Sequence, residues 1–298
     1  MKTVYTFAFL LLILSTGIKA QMPVLITQDS VKIGKNSFPG LTVTIPEANY
    51  EKTLKEWVKA LESGTKSNMV IEKDEMSIFG ANLKNVSPNP VNLYSKLLSQ
   101  DSILKLSVVV ELSKDTYIEQ ATGGEGYSKV QDYLKEFSKN RYIEVASDQL
   151  NIEEKKLKDL VKELESLAKE KTRLQKSIQS NNTKIINEND NITIQNNELK
   201  TVTASIVDNN SQLGSMDDGP AKEERGKYIK DLEKRKKKAL SSIESSENKI
   251  NSANTDIDEA NGEIPKNELK QEDLRKKIAE QEMVVQKFTD KLEKIKTY

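Results

Sequence analysis

Every seventh residue from Leu150 is Leu157, Leu164, Lys171, Ile178, Ile185, Ile192, Leu199, Ile206 and Leu213, so nine of the ten positions are large and apolar. A repeat that never slips keeps one stripe of a helix apolar over its whole length, and such a stripe has to be covered by another helix. A second register runs from Ile229 through Lys236, Ile243, Ile250, Ile257, Ile264, Gln271, Ile278, Val285 and Leu292. Two long coiled-coil helices are therefore expected, over residues 146–213 and 221–298.

The stretch between them, "LGSMDDGPAKEERGKY", holds stop and start signals within a few residues. Gly214 suits a left-handed helix end. Pro220 suits the first turn of the next helix, where Glu223 and Glu224 meet the positive end of its dipole. A connection as short as 214–220 makes the two helices antiparallel neighbours, so the sequence predicts a hairpin that pairs with itself. Facing residues then carry numbers summing to about 434. At 1.5 Å per residue the first arm is a rod of roughly 95 Å. Met216, Asp217 and Asp218 sit in the turn and are the candidate partner contacts.

The companion positions, three residues after each repeat position, are weaker. In the first arm they include Asn181, Glu188, Gln195 and Asn209; in the second, Ala239, Ser246, Ala253 and Ala260. Residues 181–197 carry seven asparagines, poor helix formers that put polar groups on the seam. This part is expected to pack loosely, with an exposed grip for a partner helix as the competing reading. Lys171, the one charge on the strong seam of the first arm, falls opposite "NGEIP" with Gly262 and Pro265. Proline removes a helical hydrogen bond, so Lys171, Gly262 and Pro265 mark an expected hinge. Beyond Val284 the second arm runs out of partner, and Val285, Phe288, Leu292, Ile295 and Tyr298 are expected to dock on the preceding domain.

That domain, residues 21–145, has a different grammar. "GLTVTIP" alternates Leu41, Val43 and Ile45 against threonines, as a half-buried strand does, and "YEKTLKEWVKALESG" puts Leu54, Trp57, Val58 and Leu61 on one helical face. "NMVIEK" with "MSIFG", and "VNLYSKLL" with "ILKLSVVVEL", read as hairpins, the latter joined by "SQDS". A helix is expected from about Tyr127. The fold class predicted is an α+β head, an antiparallel sheet with helices on one face, followed by a long antiparallel coiled-coil hairpin.

Residues 1–20 read as a secretory signal peptide, with Lys2, an apolar run, and Ala20 at the cleavage position. No later run approaches the roughly 20 apolar residues of a membrane span. The chain's charges balance, and loss of Lys2 and Lys19 leaves acids in excess by two, which gives no pull toward nucleic acid or anionic lipid. With no cysteine and no histidine, disulfides, thiolate zinc sites and imidazole catalysis are excluded. No cofactor is implied. The glycine cluster at residues 122–126 lacks the Gly-Lys-Ser/Thr ending of a phosphate loop, and "MDDG" and "TDIDEANGE" miss the calcium-loop spacing. The basic run "EKRKKKAL" faces acids on the opposing arm, among them Glu188, Asp190 and Glu198, and reads as a solvated face. Carboxylate hydrolysis in the head stays open in principle. No acid pair is singled out, and no cluster of exposed aromatic rings for sugars is legible.

The strand "GLTVTIPEA", the segment "SPNPVNLYSKLL" with its following strand, and the charged helical tail together resemble a group of uncharacterised secreted coiled-coil proteins of Bacteroidetes-type bacteria. The resemblance covers the whole chain after the signal peptide and brings no activity with it. It implies an envelope location, periplasmic or at the outer membrane surface. The expected function is that of a non-enzymatic structural or interaction protein, a binding head on a rigid spacer or adaptor arm. Its partners would be envelope proteins or further copies of itself. The alternatives are an adaptor of an export or efflux assembly and a hydrolase whose coiled coil drives oligomerisation.

Overall fold

A computed structural model describes residues 23–121 and 124–298, so the expected signal peptide lies outside the described residues. The chain forms two compact units. One ends at Lys156 and takes in Glu282–Tyr298 again; the other spans Leu157–Gln281.

The first unit is built on an antiparallel sheet: β1 (Ile26–Ile33), β2 (Asn36–Pro46), β3 (Val70–Glu72), β4 (Glu75–Ala81), β5 (Val91–Gln100), β6 (Ile103–Ser113) and β7 (Thr116–Tyr117). The strand order is β1-β2-β6-β5-β4-β3, with β7 paired to the end of β6. The alternation in the sequence becomes a division of faces. Leu41, Val43 and Ile45 of β2, Leu93 and Leu97 of β5, and Leu104, Leu106, Val108 and Val110 of β6 all point into one core. Helix α1 (Tyr50–Glu62) covers that face. Asn49 caps it by accepting from the Lys52 amide at 3.0 Å, and it buries Thr53, Trp57 and Leu61.

The next helix begins at Gly124, not near Tyr127, and it does not stop before the coiled coil. Helix α2 runs unbroken from Gly124 to Gly214, so the expected boundary near residue 145 falls inside one element. Nothing between Gly126 and Gly214 is a glycine or proline, and a helix once nucleated continues through such a stretch. Its first turns bring Val130, Leu134 and Phe137 onto the same sheet face as α1, so the helices lie on one side. Trp57 sits at the centre, in ring contact with Tyr133 and Phe137, and its indole N–H donates to Ser95 Oγ at 2.9 Å.

Strands β1 and β7 are additions to the sequence reading. Only Val31 of β1 is buried, so "ITQDSVKI" shows no periodicity to read. The loop expected at "SQDS" shrinks to Asp101 and Ser102, because Ser99 and Gln100 still pair with Leu104 and Ile103. Asp101 takes φ +53°, the left-handed turn conformation that Asp tolerates.

The last segment of helix α3 (Pro220–Lys296) belongs to this unit as well. Leu292 and Ile295 pack with Tyr142 and Ala146 of α2, flanked by Ile143, Leu150 and Tyr298. Lys139 Nζ donates to the carbonyls of Lys296 at 2.6 Å and Tyr298 at 3.1 Å, closing the C-terminal turn of α3.

The second unit is an antiparallel pair of helices. Every repeat position and every companion position in α2 and α3 is at least half-buried. The pairing rule holds: Glu188 accepts from Ser246 Oγ at 2.7 Å, and Asn267 donates to the Leu167 carbonyl at 3.1 Å, both with numbers summing to 434. The coverage differs from expectation in one respect. The small companions Ala239, Ser246, Ala253 and Ala260 are the more deeply covered row of α3, while Ile243, Ile250 and Ile257 beside them are only partly buried. Small side chains let two helices approach closely, which covers the residues at the contact line. Within the asparagine-rich stretch, Asn191 Nδ2 donates to Ser246 Oγ at 2.8 Å, while Asn182, Asn187, Asn189, Asn196 and Asn197 are exposed.

Candidate functional site

The outer face of the sheet, opposite α1, gathers four aromatic rings that are far apart in the chain. Phe38 lies near the start of β2, Phe79 near the end of β4, Tyr94 in β5 and Tyr117 in β7. Strand order brings them together. Phe38 stacks on Tyr94 with centroids 6.3 Å apart and planes within 9°; Phe38 meets Tyr117 at 5.2 Å, and Phe79 meets Tyr94 edge-on at 6.0 Å. Beneath them lies a second, smaller apolar layer of Val31 and Val109, both buried. Gly40 makes room for it: a Cβ there would stand 2.6 Å from the Val108 carbonyl oxygen and 2.7 Å from Val31 Cγ2. Only Phe79 of the four is exposed; the other three rings are partly buried. The signal of the cluster was dispersed over nearly 80 residues.

Alternation with the buried Met76 and Ile78 turns Phe79 to this face, and an irregularity follows it. The β4–β5 register shifts between Ile78 and Ala81, and Gly80 takes φ +77°, a conformation closed to most side chains. The ring is left 55% exposed. The freed Gly80 amide donates to Asn92 Oδ1 at 3.2 Å. Asn92 Nδ2 donates to Glu111 Oε2 at 3.0 Å, and the Tyr94 hydroxyl donates to the same oxygen at 3.2 Å. The Asp115 amide reaches Glu111 Oε1 at 3.2 Å. Hydrogen bonds from Asn92, then Asp115 and Tyr94, hold the nearly buried Glu111 carboxyl below its ordinary range against the cost of burial. Burial and the Glu111 charge push the Tyr94 phenol up. The rings are stacked, tilted and edge-on to one another, beside a carboxylate whose two oxygens accept from Asn92, Tyr94 and Asp115.

A second polar knot lies where the end of α3 meets the turn after β2. Glu47 has φ +56°. Its carboxylate takes both contacts of Lys291 Nζ, at 2.7 and 2.9 Å, and one from Gln149 Nε2 at 3.0 Å. The Lys291 side chain is 10% exposed and lies over the Tyr142 ring. Burial opposes ionisation of Glu47, but the bonds from Lys291 and Gln149 outweigh it and hold the carboxyl below its ordinary range. The Tyr142 hydroxyl is buried beside Glu47 without a well-formed hydrogen bond, and burial, then Glu47, push its phenol up.

The residues singled out from sequence fall into two groups, both within the hairpin unit. Met216, Asp217 and Asp218 lie in the connection between α2 and α3, where Asp217 and Asp218 are exposed and Met216 is half-buried. Asp218 pairs with Lys222 at 2.8 Å, and the Gly219 carbonyl accepts the first amides of α3. Gly262 and Pro265 lie within α3, which runs through both. Lys171 pairs with Glu268 at 2.7 Å. Beside this pair is a buried polar layer: Asn267 donates to the Leu167 carbonyl and Glu170, Gln271 donates to Asn267 Oδ1 at 2.7 Å, and Arg275 donates to Gln271. In the basic run, Arg235 is held by Glu198 at 2.6 Å and Lys234 by Asp231 at 3.1 Å.

Among the described residues no group of three acidic side chains is arranged for a metal ion, and no helix is long and apolar enough to cross a membrane. No protein-family model matches the chain, and no curated protein matches it.

Proposed function

We propose that this chain is a non-enzymatic, exported interaction protein of the cell envelope, in which the sheet unit binds a ligand and the helical hairpin serves as spacer or adaptor toward partner proteins. The observation that carries the reading is the hairpin itself, in which α2 and α3 use their apolar rows on each other. A sequence that keeps two registers over such a length is committed to a long, self-paired arm. The exposed apolar residues of the hairpin, among them Ile186, Ile194, Val207, Leu240 and Leu269, fall at several different heptad positions. They form no second stripe, which favours a partner other than a stacked copy.

The sequence supports the non-enzymatic side of the proposal, since without histidine and cysteine the common nucleophile and base pairs are out of reach. Export follows from the expected signal peptide, and the envelope location from the resemblance to secreted coiled-coil proteins. Crosslinking with mass spectrometry in the native host tests the whole reading. Envelope proteins crosslinked to residues 181–249 or to Met216–Asp218, and lost on deletion of residues 157–281, are the expected result. Hydrolytic turnover by the chain, with no hairpin-dependent partner, would replace it with the enzyme reading.

A further inference from the structure

We infer that the polar knot at Glu47 is the site of a covalent crosslink, an amide that the chain forms by itself between the Lys291 amine and the side-chain carbonyl carbon of Gln149. Such a bond concerns neither the ligand nor the partners proposed above, and forms or fails to form whatever they are.

Gln149 sets this knot apart from an ordinary ion pair. Glu47 and Lys291 neutralise each other without it, yet its carboxamide lies against both: its oxygen is 3.0 Å from Lys291 Nζ and its nitrogen 3.0 Å from Glu47 Oε2. The same Oε2 is 2.7 Å from Lys291 Nζ. One carboxylate oxygen therefore touches both nitrogens that take part in an amide exchange, the one that enters and the one that leaves. The terminal torsion of a glutamine is soft, so a turn of that group brings the face of its carbonyl carbon to Nζ.

The surroundings suit the reaction. The Lys291 and Glu47 side chains are 10% and 19% exposed, and the rings of Tyr142 and Phe288 lie 5.6 and 6.0 Å from Nζ, so water is largely shut out. The Glu47 amide donates to the Ser102 carbonyl at 2.8 Å, which fixes the turn that carries the carboxylate. The buried Tyr142 hydroxyl beside Glu47 keeps its proton and is a spare donor for developing negative charge.

The step balances without oxidant or cofactor. A proton passes from Nζ to Glu47 within their hydrogen bond, freeing the amine lone pair. Nζ adds to Gln149 Cδ, and the Cδ–Nε2 bond breaks. Both protons that Nζ gives up travel through Glu47 to Nε2, which leaves as ammonium, while Glu47 ends as the carboxylate it began as. Because the Glu47 carboxyl is held below its ordinary range, the neutral pair is the minor form and the reaction is slow. One turnover per molecule suffices, and fixed placement supplies an effective concentration of about 10⁵–10⁸ M. The ionised pair and its pH dependence belong to the chain before reaction. The product would staple α2 to the end of α3 in a chain that has no cysteine for a disulfide.

The test is to refold the full chain, age it at pH 7, digest it with trypsin and weigh the peptides. Residues 142–155 joined to 288–294, with the loss of one ammonia of about 17 Da and no cleavage after Lys291, are the expected product. Lys291→Arg keeps a cation opposite Glu47 but supplies no amine, and Gln149→Leu removes the carbonyl carbon; both should abolish the joined peptide while keeping the parent's Trp57 fluorescence. Glu47→Gln should slow joining at least about tenfold. No joined peptide after weeks would overturn the inference, whether an ammonia loss is absent or equally present in Lys291→Arg. Joining at the parent's rate in Glu47→Gln would overturn the mechanism.

Discussion

Single residues set the outer face of the sheet and, apart from it, the polar knot at Glu47. Gly40 is required by close approach and not by its backbone angle: Gly40→Ala drives a methyl into the Val108 carbonyl and the Val31 side chain. The strand must shift, at a cost of about 1–3 kcal/mol. The expected result is a lower urea midpoint together with altered near-ultraviolet signals of Phe38 and Tyr94, which lie over the displaced layer. The Glu47–Lys291 pair makes a prediction of a different kind. Its carboxyl is held below the ordinary value of 4.5, so its stabilisation is fully present above that value and is lost as pH falls through the lowered one. Glu47→Gln strands the Lys291 charge among Tyr142, Phe288 and Gln149, and should cost about 2–4 kcal/mol at pH 7. In thermal melts from pH 7 to 3, the parent should lose its advantage over Glu47→Gln below about pH 4.5. A constant difference at all pH values would mean the loss is one of packing and not of charge.

At the scale of elements, the hairpin shows which part of its pairing is written in apolar residues and which in polar ones. The seven-residue rows specify that α2 and α3 pair; a shift by a whole heptad would leave those rows matched nearly as well. Two polar layers remove that freedom, one of Glu188, Asn191, Ser246 and Lys249, the other of Lys171, Asn267, Gln271 and Glu268. A slipped register would leave Asn267 and Gln271 buried without partners, which costs about 1–3 kcal/mol for each group. A zero-length carbodiimide should therefore join Lys171 to Glu268 and Lys249 to Glu188 within one chain. Asn267→Leu with Gln271→Leu should raise the melting temperature of the hairpin while spreading those crosslinks over neighbouring registers. Pro265 lies beside the second layer and deprives the Asn261 carbonyl of its amide, so Pro265→Ala should stabilise the helix by about 1–3 kcal/mol. Hydrogen exchange around residues 261–271 reports that gain, and exchange there no faster in the parent than in flanking heptads would rule out the hinge.

These layers also show why the sequence was legible where it was. Lys171 in the first row, and Lys236 and Gln271 in the second, stand out as breaks in otherwise apolar rows, and the stop and start at Gly214 and Pro220 lie close enough to demand an antiparallel turn. The strands with one buried face announced themselves by alternation. Strand β1 did not, since its environment is mostly solvent, and the ring cluster could not, since Phe38, Phe79, Tyr94 and Tyr117 meet only through the order β2-β6-β5-β4 with β7 at the end of β6. Non-local pairing of that kind leaves no local pattern.

For the whole molecule, the chain divides between Lys156 and Leu157 and again between Gln281 and Glu282, so the sheet unit is closed by a segment that follows the hairpin in sequence. That topology makes the C-terminal 17 residues a structural part of the sheet unit. Leu292 and Ile295 cover Tyr142 and Ala146, and Lys291 neutralises Glu47, so removing residues 282–298 exposes an apolar surface and leaves a half-buried carboxylate without its cation. Burying two large aliphatic side chains is worth about 3–6 kcal/mol, comparable to the net stability of a domain of this size. A chain ending at Gln281 should melt its sheet unit well below the parent, followed through Trp57 fluorescence because that residue reports only on this unit. The excised hairpin, residues 157–281, keeps both registers and both polar layers and should remain helical by circular dichroism. If the truncated chain kept its Trp57 transition unchanged, the segment would be a passive extension of α3. If instead the excised hairpin unfolded, the two units would be one cooperative structure held together through α2.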